Sequence, residues 1–232
     1  CAGIRRFFVG PKVLGGFEAL RRTAWALPAL WIVLPLLYVP LVPTVAPLES
    51  GPIDPLPAAP ANVARADSRL PAAARFDIRS KDRVIQCCTF QTKASRTIFK
   101  QILEGHTYPQ VSFVREVKTV LDVGANVGGA AVYFALRYPK AMVYALEPAS
   151  APFRLLERNA KQFENIRAFN IGLLDSDRTV PLFRGSFDSV TSSIGQSVLN
   201  TRESEQISLR NADDWLAEAG IDQIDILKID TE

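Results

Sequence analysis

The chain has 232 residues, 48% hydrophobic and 22% charged, a balance that excludes a disordered or collagen-like protein. Its three cysteines (Cys1, Cys87, Cys88) include no C-x-x-C pair, which excludes a disulfide-stapled scaffold and a zinc ribbon, and a single histidine, His106, argues against a histidine metal site or a Ser-His-Asp triad. The net charge of +3 is uneven: residues 1–80 hold nine Lys/Arg against five Asp/Glu, and residues 81–232 hold eighteen against nineteen. The basic excess therefore belongs to the leader, and no concentrated nucleic-acid-binding face is expected.

Residues 1–23 form the basic leader, with Arg5, Arg6, Lys12, Arg21 and Arg22. Residues 24–48 carry no charge and are long enough to cross a bilayer, with the N-terminus inside by the charge of the flanks. Five prolines (Pro28, Pro35, Pro40, Pro43, Pro47) oppose a continuous membrane helix, since each removes a backbone donor that lipid cannot replace. A membrane anchor through this segment and a wholly cytoplasmic protein are both open, and the cytoplasmic location agrees with the usual supply of small-molecule cofactors. Residues 49–75 are rich in Pro and Ala without periodicity and read as a semi-extended linker.

The folded part starts near Phe76, with residues 76–118 as an N-terminal extension and 119–232 as the main domain. Val84–Phe90 is a short apolar run, and Ile98–Leu103 is helix-like, followed by a turn at residues 105–109. Thr119–Val123 is a strand, Val127–Tyr138 a helix, and Ala141–Leu146 a second strand. Pro152–Phe163 is an amphipathic helix with Phe153, Leu156 and Ala160 on one face. Ile166–Ile171 is a third strand, residues 179–184 and 205–209 are shorter ones, Ala212–Ala219 is a helix, and Ile224–Ile229 is a fourth, almost wholly apolar strand. Apolar strands alternating with helices predict a mostly parallel sheet covered on both faces, a Rossmann-like three-layer α/β fold.

The first motif runs from Val120 to Gly129: a strand ending at Asp122, a tight turn at Gly124, and a helix opening near Val127. That order places backbone N–H groups and a helix N-terminus at the C-terminal edge of the sheet, where open α/β sheets bind ligands. Glu147 ends the next strand, 23 residues after Gly124, where an acid accepts hydrogen bonds from both hydroxyls of a ribose. In a dinucleotide loop the second glycine lets the backbone approach the pyrophosphate. Asn126 stands there instead, which favours S-adenosylmethionine over NAD, with Asp122, the loop amides and Asn126 available to its amino and carboxylate groups. A nicotinamide-dependent oxidoreductase and a membrane-tethered, non-catalytic binding module remain the alternatives.

Four segments, Asp122-Val-Gly-Ala-Asn-Val-Gly128, Leu146-Glu-Pro148, Asn170-Ile-Gly-Leu-Leu-Asp175 and Leu227-Lys-Ile-Asp-Thr-Glu232, resemble the FkbM family of S-adenosylmethionine-dependent methyltransferases over about residues 81–232. The resemblance implies a methyltransferase fold, S-adenosyl-L-methionine as cofactor, and O-methylation of a hydroxyl on a sugar, polyketide or similar metabolite. It also implies a glycine after Glu232, so the domain is expected to be incomplete at its C-terminus. Carried over by position, Asp122, Gly124, Asn126 and Gly128 line the methionine end of the donor. Glu147 holds the ribose with Pro148 shaping the turn, and Asn170 and Ile171 sit near the adenine.

In the last motif, Lys228, Asp230 and Glu232 share one side of an extended strand. Methyl transfer to oxygen requires alignment of donor and acceptor and removal of the hydroxyl proton, for which Asp230 is the candidate base. Lys228 is a candidate to orient Asp230 or to stabilise negative charge on the acceptor oxygen, and Glu232 to bind substrate hydroxyls. An ion-pair cluster ordering the loop is the bland alternative, and no metal is assigned. The polar run Ser189, Thr191, Ser192 and Ser193 reads as an exposed loop, His106 as structural, Cys87 and Cys88 as buried reduced thiols, and Trp215 as helix core.

Overall fold

The computed structural model describes residues 4–9, 49–55, 73–80, 83–108, 116–184, 192–193 and 204–231. Strands β1 (Ile4–Val9) and β2 (Glu49–Pro55) come first, followed by a hairpin of β3 (Ala73–Ser80) and β4 (Arg83–Phe90) and by helix α1 (Lys93–Leu103). The alternating core is β5 (Thr119–Val123), α2 (Gly129–Arg137), β6 (Met142–Leu146), α3 (Ser150–Ala160) and β7 (Ile166–Phe169). Beyond it lie β8 (Gly172–Leu174), β9 (Arg178–Arg184), β10 (Ser192–Ser193), β11 (Ser204–Asn211), helix α4 (Ala212–Glu218) and β12 (Ile226–Thr231).

The central sheet has the order β1-β12-β5-β6-β7. β12, β5, β6 and β7 are mutually parallel, and β1 closes the β12 edge antiparallel. Because side chains alternate across a strand, each strand supplies two different cores. Val120, Val143, Ala145 and Ile226 face a core shared with Ala131 and Phe134 of α2 and Leu156 of α3. Leu121, Val123, Leu146 and Leu227 face the other way, onto Trp215, Ile221 and Ile224. Trp215 meets Tyr144 and Phe169 edge-on, with ring centroids 6.4 and 5.2 Å apart. Helices on both faces of a parallel sheet make the expected three-layer α/β architecture.

Two smaller sheets flank the centre, one ordered β10-β9-β11-β8 and one β2-β3-β4. The hairpin is part of the main core: Phe76, Ile78, Ile85 and Cys87 are buried in it, and the Phe76 ring meets Phe99 of α1 edge-on at 4.8 Å. Cys87 and Cys88 are buried free thiols, whose ionisation burial opposes in both cases.

The edge of β4 is closed by side chains of α3 and the turn after it. Asn159 accepts from Cys88 N (2.7 Å) and donates to Cys88 O (2.8 Å). Gln162 repeats the pairing two residues along the strand, accepting from Gln86 N (2.9 Å) and donating to Gln86 O (2.7 Å).

The structure departs from the sequence reading at several boundaries. Helix α1 begins at Lys93, five residues before its apolar signal, because Thr92 caps it by accepting from Ser95 N at 3.1 Å. The predicted helix from Val127 starts at Gly129, since the loop needs Asn126 and Gly128 in left-handed conformations. The third strand stops at Phe169, and the chain re-enters a different sheet at Gly172. Within the stretch read as linker, Glu49–Pro55 pairs with β3 as an edge strand. Its register shifts between Ser50 and Ile53, where Pro52 lacks an N–H, and that irregularity hides the strand from its pattern. Among the described residues no helix is long and apolar enough to cross a membrane. The apolar segment 24–48 lies outside the described residues, as do Ser189, Thr191 and Glu232.

Candidate functional site

β5 runs into the loop Gly124–Gly128, which turns the chain into α2. Gly124 (φ 75°), Asn126 (φ 52°) and Gly128 (φ 88°) all adopt left-handed backbone. Asparagine is among the few non-glycine residues that tolerate this region, which explains its occurrence there independently of any ligand. At Gly128 steric demand joins the dihedral: a Cβ would lie 2.7 Å from Leu156 Cδ1.

The loop is pinned from several sides. Gly124 N and Ala125 N both donate to Leu146 O, at 2.9 and 2.8 Å, and Gly128 N donates to Ala125 O at 2.8 Å. Asn126 N donates to Glu147 Oε2 at 2.8 Å, and Val127 O accepts from Asn159 Nδ2 at 2.7 Å. From sequence, the loop amides are offered to a ligand. Four of them, those of Gly124, Ala125, Asn126 and Gly128, are instead spent on the turn itself, because a loop this tight satisfies its own donors.

Glu147 stands where the sequence places it, directly after β6, but it too serves the turn. Its Oε1 accepts from Ala149 N and its Oε2 from Asn126 N, both at 2.8 Å. Each oxygen keeps a second lone pair for a hydroxyl donor. Burial pushes the Glu147 carboxyl up to about 7, against the lowering effect of these N–H groups and of Lys228.

Asp122 and Lys228 are partners across adjacent parallel strands, and both are buried. The Lys228 ammonium lies 2.8 Å from Asp122 Oδ1 and donates to Gly124 O at 2.6 Å. The ammonium and the backbone N–H of Ala131 favour the ionised form of the Asp122 carboxyl. Burial raises the Asp122 carboxyl, Lys228 opposes the rise, and Asp230 adds to it. The sequence offers Lys228 to Asp230 or to an acceptor oxygen; the structure puts its ammonium on the Gly124 carbonyl. Asp230 is half-buried two residues further along β12, on the same side as Lys228 by strand periodicity.

Asn170 Nδ2 donates to Glu147 O (2.9 Å) and Pro148 O (3.0 Å), so both amide protons hold the β6 turn and the side-chain oxygen alone is left for a ligand edge. Pro148 packs at 3.5 Å from the position a Cβ would take on Gly172, and Ile171 packs against the Trp215 core. Asn159 is the residue that sequence reasoning missed. It is fully buried and joins β4 to the loop through Cys88 and Val127 O. An asparagine three residues after Leu156, within the apolar stripe of an amphipathic helix, is the signal that could have found it.

Asp122, Gly124, Asn126, Gly128, Glu147, Pro148 and Asn170 thus converge at the C-terminal edge of the parallel sheet, with Asp230 at the end of the neighbouring strand. Among the described residues, the buried charges there are two carboxylates and one ammonium. A pyrophosphate would meet like charge there, while Asp122, paired with the Lys228 ammonium at 2.8 Å, keeps a negative carboxylate beneath the loop.

The parallel sheet, its helices on both faces and this loop–acid pair define a Rossmann-like methyltransferase fold. Residues 122–232, just under half of the chain, match the methyltransferase FkbM domain. Relatives include the AMB antimetabolite synthetase AmbE of Pseudomonas aeruginosa, 28% identical over 172 residues, covering 58% of this chain and 8% of AmbE. The methyltransferase sdnD of Sordaria araneosa is 32% identical over 88 residues, covering 37% of this chain and 34% of sdnD. The 2-O-methyltransferase NoeI of Sinorhizobium fredii is 24% identical over 127 residues, covering 49% and 52%. The chain therefore spans about half or less of these relatives.

Proposed function

We propose that the protein is an S-adenosylmethionine-dependent O-methyltransferase acting on a hydroxyl of a sugar, polyketide or similar small metabolite. The observation that carries this is the buried Asp122–Glu147 pair framing the Gly124–Gly128 loop inside an FkbM domain. The similarity to NoeI, a 2-O-methyltransferase, supports oxygen as the acceptor atom.

Asp122, Gly124, Asn126 and Gly128 would hold the methionine end of the donor, Glu147 the ribose, and Asn170 with Ile171 the adenine. When bound, the donor supplies an electrophilic methyl group on a sulfonium. Asp230 takes the proton of the acceptor hydroxyl on a carboxylate oxygen, raising the nucleophilicity of that oxygen as the bond forms. The stiff loop and the sheet edge fix the approach, which is where most of the rate advantage of a two-substrate reaction arises. Glu232, outside the described residues, is a candidate to bind acceptor hydroxyls. A cytoplasmic location fits the supply of methyl donor.

The test is calorimetric titration of S-adenosylmethionine and of NAD into the full chain. Binding of the methyl donor alone, weakened tenfold or more by Glu147→Ala, is the expected result. Binding of NAD alone, or donor binding indifferent to Glu147, would overturn the assignment.

A further inference from the structure

We infer that Lys228 is a positioning residue of the donor site, an internal strut that fixes the Gly124–Gly128 loop, and that it takes no part in stabilising charge on the acceptor. The inference deepens the methyltransferase reading, on which it rests for the identity of the ligand.

The geometry leaves the ammonium little else to do. Lys228 is 4% exposed. It starts from the β12 position paired with Asp122 of β5, so its side chain leaves the sheet on the same face as the Asp122 carboxylate, beneath the loop. At its end the ammonium donates to Gly124 O at 2.6 Å while lying 2.8 Å from Asp122 Oδ1. A lysine ammonium has three N–H donors, and these two contacts bind it to the first residue of the loop and to the last acidic residue before it.

Gly124 O is the right carbonyl to hold. The N–H groups of Gly124 and Ala125 are anchored to Leu146 O, the N–H of Asn126 to Glu147, and the carbonyl of Val127 to Asn159. Those bonds secure the loop toward β6 and α3. Lys228 supplies the tie on the β12 side. A charge-assisted bond to a carbonyl in a dry environment is roughly twice as strong as a neutral one, and Asp122 offsets the cost of burying the cation. Without it, Asp122 is an unpaired buried carboxylate and the Gly124 carbonyl has lost its charged partner.

Lys228→Met alone leaves a buried unpaired acid and risks simple unfolding, so the informative comparison holds position 122 neutral. Asp122→Asn and Asp122→Asn/Lys228→Met differ in the strut and in the buried ammonium that Asp122→Asn leaves without its counter-ion, so melting temperatures separate a loss of charge balance from a loss of loop support. Two readouts are taken on proteins whose melting temperatures are recorded: affinity for S-adenosylmethionine by calorimetry, and hydrogen exchange of the Asn126 and Gly128 amides without ligand. The expected result is a loss of tenfold or more in donor affinity and faster exchange at both amides when Lys228 is removed from the Asp122→Asn background, with Lys228→Arg close to wild type.

Equal donor affinity and equal exchange in the single and double variants would overturn the inference, as would a defect confined to turnover, which is what a role at the acceptor oxygen predicts. If the wild-type chain fails to bind the donor at all, the methyltransferase reading falls. The exchange measurement still decides whether Lys228 braces the loop.

Discussion

Glu147→Gln sets two opposed contributions against each other, and pH decides which is larger. Both carboxylate oxygens accept a backbone N–H at 2.8 Å, from Ala149 and from Asn126. Glutamine has one oxygen, so one of these amides meets an NH2 group instead, at a cost of about 1–3 kcal/mol. Burial, however, holds the Glu147 carboxyl at about 7 against an ordinary value of 4.5.

The folded value lies above the unfolded one, so the chain loses stability as pH rises from the unfolded value through the folded one. At about 1.4 kcal/mol per pH unit across that window, the ionised, buried carboxylate costs about 3 kcal/mol above pH 7 and nothing below about pH 4. Glutamine is free of that cost. The variant is therefore expected to be the less stable protein at pH 5 and to match or exceed wild type at pH 8, a relative swing of about 2–3 kcal/mol. Urea denaturation followed by circular dichroism at both pH values measures the swing. A stability difference that does not change with pH would refute the account of Glu147, and the same variant is expected to bind S-adenosylmethionine at least tenfold more weakly.

Other variants test other parts of the site. Gly128→Ala places a Cβ 2.7 Å from Leu156 Cδ1 in left-handed backbone, and a loss of about 1–3 kcal/mol is expected in the same denaturation assay. Asn126→Gly keeps the loop conformation, so a folded protein with unchanged melting temperature is expected, and its donor affinity reports directly whether the Asn126 side chain touches the ligand. Asp230→Asn is expected to lower turnover by about 10²–10⁴ while donor affinity stays within about twofold, once an acceptor is identified by screening hydroxylated metabolites. Asn159→Ala strips partners from Cys88 N, Cys88 O and Val127 O together, and a loss of about 2–5 kcal/mol is expected.

Strands β5, β6, β7 and β12 and the loop–acid pair are legible in the sequence because their signals are local, whereas β1, read as part of the basic leader, joins the sheet only by pairing with the distant β12. Apolar runs of strand length, a glycine turn after Asp122 and an acid after the next strand are properties of a few neighbouring residues. Lys228 and Asn159 are harder, since their roles depend on partners 104 and 71 residues away. Sequence places Lys228 on the same side of its strand as Asp230, and the strand pairing with β5 decides that its ammonium reaches Gly124 O instead. The loop amides mislead for a related reason: a donor counted as available in sequence is consumed once the turn closes on Leu146 O and Glu147. β2 is hidden because its prolines and its register shift erase alternation, while an edge position tolerates both.

The amide pairs on β4 have a consequence for assembly. An edge strand offers a row of free N–H and C=O groups on which another chain can template a sheet. Here Asn159 of α3 and Gln162 of the turn that follows it occupy the groups of Cys88 and Gln86 in the way a neighbouring strand would. The end of α3 and its following turn thus act as a surrogate strand, terminating the three-stranded sheet with two side chains. It also makes the hairpin's resistance to misassociation depend on the same residue that holds the loop at Val127.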